Sequence, residues 1–182
     1  MLLERGFPSP AAELLRRLSA SPRLVAHLRL VHDVAFRLTE WLAHAHPAVL
    51  FDREAVLFGA ATHDIGKARV AEELSAPGSR HEQLGEQLLL AEGVSPRLAR
   101  FAATHASWHA DGVEMDDLLI SLADKVWKAK RVPDLEQLVV DRLAVASAVE
   151  PWAAFMSLDD CLDRLAAGAD ERLAFQNAHP VS

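Results

Sequence analysis

The segment GAATHDIGKARV, residues 59–70, closes an apolar run with adjacent imidazole and carboxylate groups, His63 and Asp64. Neither group tolerates burial without a partner, and a metal ion would serve both. Further ionisable residues fall on faces that should point inward. His81 opens HEQLGEQLLL and shares a face with Leu84, Gly85 and Leu88. His105 lies on the stripe Leu98, Phe101, Ala102, Trp108, and Asp124 interrupts the apolar run LLISLADKVWK. A carboxylate in mid-helix among apolar neighbours is either metal-bound or salt-bridged to a Lys or Arg. On the first long helix, His27 and His32 flank the apolar stripe about 140° apart by the helix angle. Only one of them can join a common site, and periodicity does not choose between them. His44, His46 and His179 sit at a frayed helix end or in the tail and are expected to be solvated.

Together these residues form a nitrogen-and-oxygen donor set without sulfur. It suits iron, manganese, cobalt, nickel or zinc, and it exceeds what one closed structural zinc requires. Such a set can hold two ions with a carboxylate between them. A pair of ions lowers the pKa of a shared water and clamps the attacking and leaving oxygens of a displacement.

The elements needed to position these groups are helices. SPAAELLRRLSA begins with Ser9 as a cap and Pro10 in the first turn; residues 21–46 repeat that start with Ser21 and Pro22. There Leu24, Leu28, Val31, Ala35, Leu38 and Leu42 form one stripe, the mark of an amphipathic helix. DREAVLFGAATHD starts at Asp52 and is apolar nearly all round, as a central helix would be. Gly66 is expected to let the backbone turn away after the His-Asp pair, and Gly85 to admit a close backbone. PGSRHEQLGEQLLLAEG reads as a loop and a helix closed by Gly93, and SPRLARFAATHASWH as a helix capped at Ser95. MDDLLISLADKVWKAKR, PDLEQLVVDRLAVASAV and SLDDCLDRLAAG complete the series. No alternating run bounded by a hairpin dipeptide suggests a strand. The expectation is an all-α fold, one compact bundle over residues 1–182, with residues 133–182 completing the same domain.

Composition narrows the function. Half the residues are hydrophobic (51%), with 7 Phe, 4 Trp and no Tyr, so Leu, Ala and Val must build the core. The net charge of -7 argues against a nucleic-acid partner, which calls for a clustered basic face. It leaves room for a small anionic substrate held by local Lys and Arg. Cys161 is the only cysteine, which excludes an internal disulfide and a thiolate-rich metal site. The start, MLLERGFPSP, lacks the apolar stretch of a signal peptide, and no segment has the length of a membrane span. A cytoplasmic protein, monomeric or homodimeric, is expected.

In its order of motifs the chain resembles the HD-domain superfamily. HDIGK follows an apolar helix, HEQLGEQLL begins 17 residues beyond Asp64, an inward His stands in ATHASW, and LADK carries Asp124. The resemblance spans roughly residues 22 to 131 and implies an all-helical, metal-dependent phosphohydrolase. It also selects His27, because the family's first histidine is followed by an apolar residue four on and a small one eight on, here Val31 and Ala35. The core ligands it implies are His27, His63, Asp64 and Asp124; His81 and His105 correspond to the extra ligands of two-metal members. The chain departs from the cyclic-dinucleotide hydrolases of the superfamily, having no paired His and no Gly-Tyr-Pro. It is more similar to small stand-alone members, including those that split diadenosine polyphosphates.

The expected activity is hydrolysis of a phosphoester or phosphoanhydride on a small nucleotide-like molecule. Asp64 would bridge or orient the ions as a catalytic residue. Lys67, just past the doublet, and Arg80, just before His81, would meet phosphate oxygens, with Lys128 and His109 as further candidates for that role or for protonating the leaving group. Two other expectations share the scaffold: a di-iron oxygenase acting on a small organic substrate, and a nucleotide-binding sensor without turnover. Ligands alone do not choose among them.

Overall fold

The computed structural model describes residues 7–181. Among them there is no strand. The helices are α1 (Ser9–Arg17), α2 (Pro22–Ala45), α3 (Arg53–Thr62), α4 (Arg80–Ala91), α5 (Pro96–Ala99) and α6 (Phe101–Thr104), then α7 (Met115–Val126), α8 (Pro133–Ser147), α9 (Pro151–Ala166) and α10 (Ala169–Asn177). Two 3-10 turns, Ile65–Ala68 and Ala71–Leu74, join α3 to α4. The chain start read above as lacking a signal peptide lies largely outside the described residues. No helix among them is long and apolar enough to cross a membrane.

Side-chain caps define several starts. Ser21 Oγ accepts from the Leu24 amide and Asp52 Oδ1 from the Ala55 amide, relieving orphan donors of α2 and α3. Asp117 and Glu114 form a reciprocal capping box at α7. Ser9 does not cap: α1 starts on it, behind Pro8, with no side-chain cap. Pro151 likewise starts α9 six residues ahead of the expected Ser157, and α10 adds a helix the pattern did not suggest. The single helix expected over residues 95–109 is instead two short turns, α5 and α6, ending at Thr104.

α2 is the spine. It packs on α3, α7, α9 and α10, and α7 in turn packs on α3 and α8. The larger apolar core joins Leu30, Val31, Leu38 and Leu42 of α2 to Leu119 and Leu122 of α7 and Leu143 and Leu162 of the α8–α9 hairpin. A smaller core joins Leu24 and Leu28 to Leu14, Ile65, Leu89 and Ala102. Apolar burial of this kind stabilises by about 25 cal/mol per Å² removed from water. Along α2, His27 lies next to Leu28 of the smaller core and one turn before Val31 of the larger.

Candidate metal centre

Five elements deliver the cluster. α3 ends at Thr62; His63 keeps helical angles (φ -52°, ψ -37°) while Asp64 departs from them (φ -100°, ψ 13°). That change of rotation lets two adjacent side chains, normally about 100° apart, address one place. The 3-10 turn that follows presses on α4. A methyl on Gly66 would overlap the carbonyl of His81, and one on Gly85 would stand 3.0 Å from the Ala102 side chain. Gly66 therefore does not serve a turn: no positive φ occurs there. It lets the α4 backbone lie against the segment carrying Asp64, and this close approach brings His81 to the cluster. α6 is tied to α7 by Thr104 Oγ1, which donates to Asp117 Oδ1 at 3.0 Å, and by Arg100, which donates to Asp117 Oδ2 at 3.0 Å. These bonds fix the end of α6, where His105 follows.

Asp64 lies in the middle. Its Oδ2 is 3.1 Å from His27 Nε2 and 3.7 Å from His63 Nε2. Its Oδ1 is 3.0 Å from His81 Nε2 and 3.5 Å from His105 Nε2. Asp124 Oδ1 completes the first side, 3.3 Å from His63 Nε2 and 3.9 Å from His27 Nε2. Two donor groups result, His27–His63–Asp64–Asp124 and Asp64–His81–His105, all buried, each with its ligand atoms within 4.8 Å of one another. Ligands about 2.0–2.2 Å from a common ion fall within that spread.

Three histidines are locked with the same nitrogen inward. Nδ1–H of His63 donates to the Ala60 carbonyl (3.0 Å) and that of His105 to the Ala102 carbonyl (2.9 Å). Nδ1–H of His81 donates to Glu73 Oε2 at 2.6 Å. In the neutral form of this tautomer each ring turns the lone pair on Nε2 into the cluster. Buried Nε2 atoms of His27, His63 and His81 have no hydrogen-bond partner. Orphaned acceptors beside two ionised carboxylates are costly unless a cation joins them, so the residues fit a metal.

The charges agree. Burial favours a neutral Asp64, yet His63, His27, His81 and Lys67 hold it well below the usual carboxylate range. Asp124 is depressed likewise, against its burial, by His63 and Lys125. Burial pushes His105 down to about 4. His81 moves up despite its burial, because Asp64 and Glu73 both face it. Lys67 Nζ donates to Asp64 Oδ2 and Lys125 Nζ to Asp124 Oδ2, each at 2.5 Å. The salt bridge weighed for Asp124 is thus present on one oxygen while the other faces the histidines.

The remaining candidates divide. Lys67 and Lys128 line a cavity of about 290 Å³ that reaches His27. The Arg80 side chain is exposed and pairs with Glu72 at 3.0 Å; only its amide, bonded to Glu73, supports the site. His109 is exposed beyond the end of α6, so the helix that would have carried it inward does not exist. His32 is buried apart from the cluster, edge-on to Phe7 at 5.5 Å. His46, expected to be solvated, is buried between Ser147 and Ser157; His44 is exposed and His179 half-buried.

Glu73 and Lys125 were not foreseen. Glu73 holds the His81 ring and amide together, and Gly78 packs so closely that a methyl there would overlap the Glu73 side chain. A carboxylate behind a ligand histidine fixes its tautomer and raises its basicity. Its only sequence signal is a Glu in an acidic turn eight residues before a His. The chain matches no family model, no curated protein and no solved structure. The assignment of the centre therefore stands on this geometry and on the order of the motifs.

Proposed function

We propose that the protein is a metal-dependent phosphohydrolase acting on a small, nucleotide-like phosphoester or phosphoanhydride. The observation that carries this reading is the division of Asp64: one carboxylate oxygen faces each donor group. Two divalent ions, once bound, supply an ionised water at neutral pH and neutralise charge on phosphorus. The donor set suits iron, manganese, cobalt, nickel or zinc.

The chain's own groups do the rest. Asp64 joins the two halves, and Lys67 donates to its Oδ2. Lys67 and Lys128 meet phosphate oxygens at the cavity beside His27. Glu73 and Lys125 hold His81 and Asp124 in their ligating orientations. With water as the attacking group, no protein nucleophile is required.

The test is elemental analysis of the purified chain together with phosphate release from nucleotides and dinucleotide polyphosphates. Two metals per chain and turnover of one substrate class are expected. Asp64→Ala should lose both ions and at least about 100-fold in turnover, while circular dichroism keeps its helical signal. Two irons with oxygen uptake and no phosphate release would replace the hydrolase with an oxygenase. Full metal occupancy in Asp64→Ala would remove the site itself.

A further inference from the structure

The end of α8, its turn and the start of α9 read VASAVEPWAAFM, residues 145–156, and Glu150 is the only charged residue among them. Much of this stretch stands in water. Val145 is 84% exposed and Trp152 70%, and Val149, Phe155 and Met156 are exposed as well. Single apolar residues on a surface need no explanation, but a contiguous patch bounded by polar groups marks a place where another surface docks.

The patch is one outer face of the α8–α9 hairpin. The two helices pack on each other and turn Leu143, Leu158 and Leu162 into the core. At about 100° per residue, Val145 and Val149 of α8 and Trp152 and Met156 of α9 fall on the sides turned away from those leucines, with Phe155 at the flank. Ala148, in the left-handed region at φ 51°, ends α8, and the chain reverses between Ser147 and Pro151, so the two stripes adjoin. None of these residues belongs to the metal centre or to the cavity beside it.

We infer that this face binds a second copy of the chain, two α8–α9 hairpins closing on each other about a two-fold axis. The area is the first argument. The five large side chains together expose on the order of 600 Å², most of the ~800 Å² per partner that a stable dimer hides. Tryptophan, phenylalanine and methionine are also the residues that interface centres favour. Charge is the second argument. Arg142 lies one turn before Val145 on its stripe and Asp160 one turn beyond Met156 on the other, both exposed. The Arg142 guanidinium donates to the Val113 carbonyl at 2.6 Å, and neither group has an ion-pair partner among the described residues. Because α8 and α9 run antiparallel, the two charges stand at the same end of the apolar face. With the two-fold axis along the hairpin, α8 of one copy lies over α9 of the other, and Arg142 meets Asp160 of the second copy twice. An isologous contact of this kind is self-complementary and closes at two chains. The inference does not depend on the hydrolase reading.

Sedimentation of the full chain, from micromolar to near-millimolar concentration, tests it. Wild type should reach twice its chain mass of 19.9 kDa. Trp152→Glu should dissociate at least about 30-fold more readily, as loss of a central anchor implies, and circular dichroism should keep its helical signal because the side chain is outside the core. Met156→Lys, with the same control, provides a second disruption. Arg142→Glu should weaken the dimer, and adding Asp160→Arg should restore it. Metal content should be the same in all variants. A wild type that stays monomeric at every concentration overturns the inference. So does a dimer that Trp152→Glu and Met156→Lys leave intact, since it would use another face. A double charge swap no better than Arg142→Glu alone overturns the pairing of α8 over α9.

Discussion

His46 and His63 each follow the last residue of a helix, α2 and α3, and each is buried, yet their surroundings differ in kind. Both nitrogens of His46 reach a serine hydroxyl, Ser147 at 2.9 Å and Ser157 at 3.0 Å. His63 spends one nitrogen on the Ala60 carbonyl and leaves the other unpartnered among carboxylates. The first is a closed polar joint between α2 and the α8–α9 hairpin. The second is an open valence shared by several elements. Burial of a histidine thus says little about function; what its second nitrogen meets says much more. The same contrast separates the Arg131 cluster, where Glu136, Asp159 and Asp163 all accept from one guanidinium, from Asp64, whose neighbours are imidazoles turned acceptor-first.

The largest effect expected from this contrast is on metal content. His63→Ala should remove at least one ion per chain by elemental analysis and leave the helical signal in place, whereas His46→Ala should keep the full complement. Equal metal loss in both variants would erase the distinction. Next comes Glu73→Gln, which weakens the hold on His81 without touching a ligand. Metal affinity should fall by about 10–100-fold, read by competition with a chelating dye, and an unchanged affinity would make Glu73 a simple cap of α4.

A smaller effect is one of stability. His46→Ala strands two hydroxyls and opens a gap, costing about 2 kcal/mol in urea unfolding. No shift in midpoint would mean that the joint carries no load. Smaller again is the pH response of His32, which burial pushes down to about 4 from 6.5. The folded protein holds it neutral while the unfolded chain protonates it. Stability is therefore complete above about pH 6.5 and falls as pH drops toward 4, by on the order of 1 kcal/mol at pH 5.5. His32→Leu should flatten that part of the melting-temperature profile relative to wild type. Parallel profiles would show that His32 titrates normally.

Much of this was legible in the chain. Ser21 and Asp52 marked helix starts because a capping oxygen needs only its own next residues. The stripe from Leu24 to Leu42 marked a core face because helical period is local. The start at Ser9 is read less well, since Ser-Pro fits both a cap before a helix and its first turn; the start of α9 lies at Pro151 behind Glu150, ahead of the expected Ser157. His109 is exposed for a related reason: the apolar stripe continues through Trp108, but the helix stops at Thr104. His46 looked like a frayed end, and only the distant serines of α8 and α9 make it a buried joint.

By itself the sequence determined which donor atoms exist, in what order, and on which helical faces, because side-chain chemistry and a 3.6-residue period are properties of short stretches. It also removed sulfur from the centre and marked Gly85 as a place of close approach. Whether His27 or His32 joins the cluster was beyond the residues alone, since both flank the same stripe and both end up buried. Only the packing of α2 against α3 and α7 decides it. Tertiary structure likewise turned one oxygen of Asp64 to each donor group and set Glu73 behind His81. Those are relations between segments distant along the chain, and no local rule of spacing carries them.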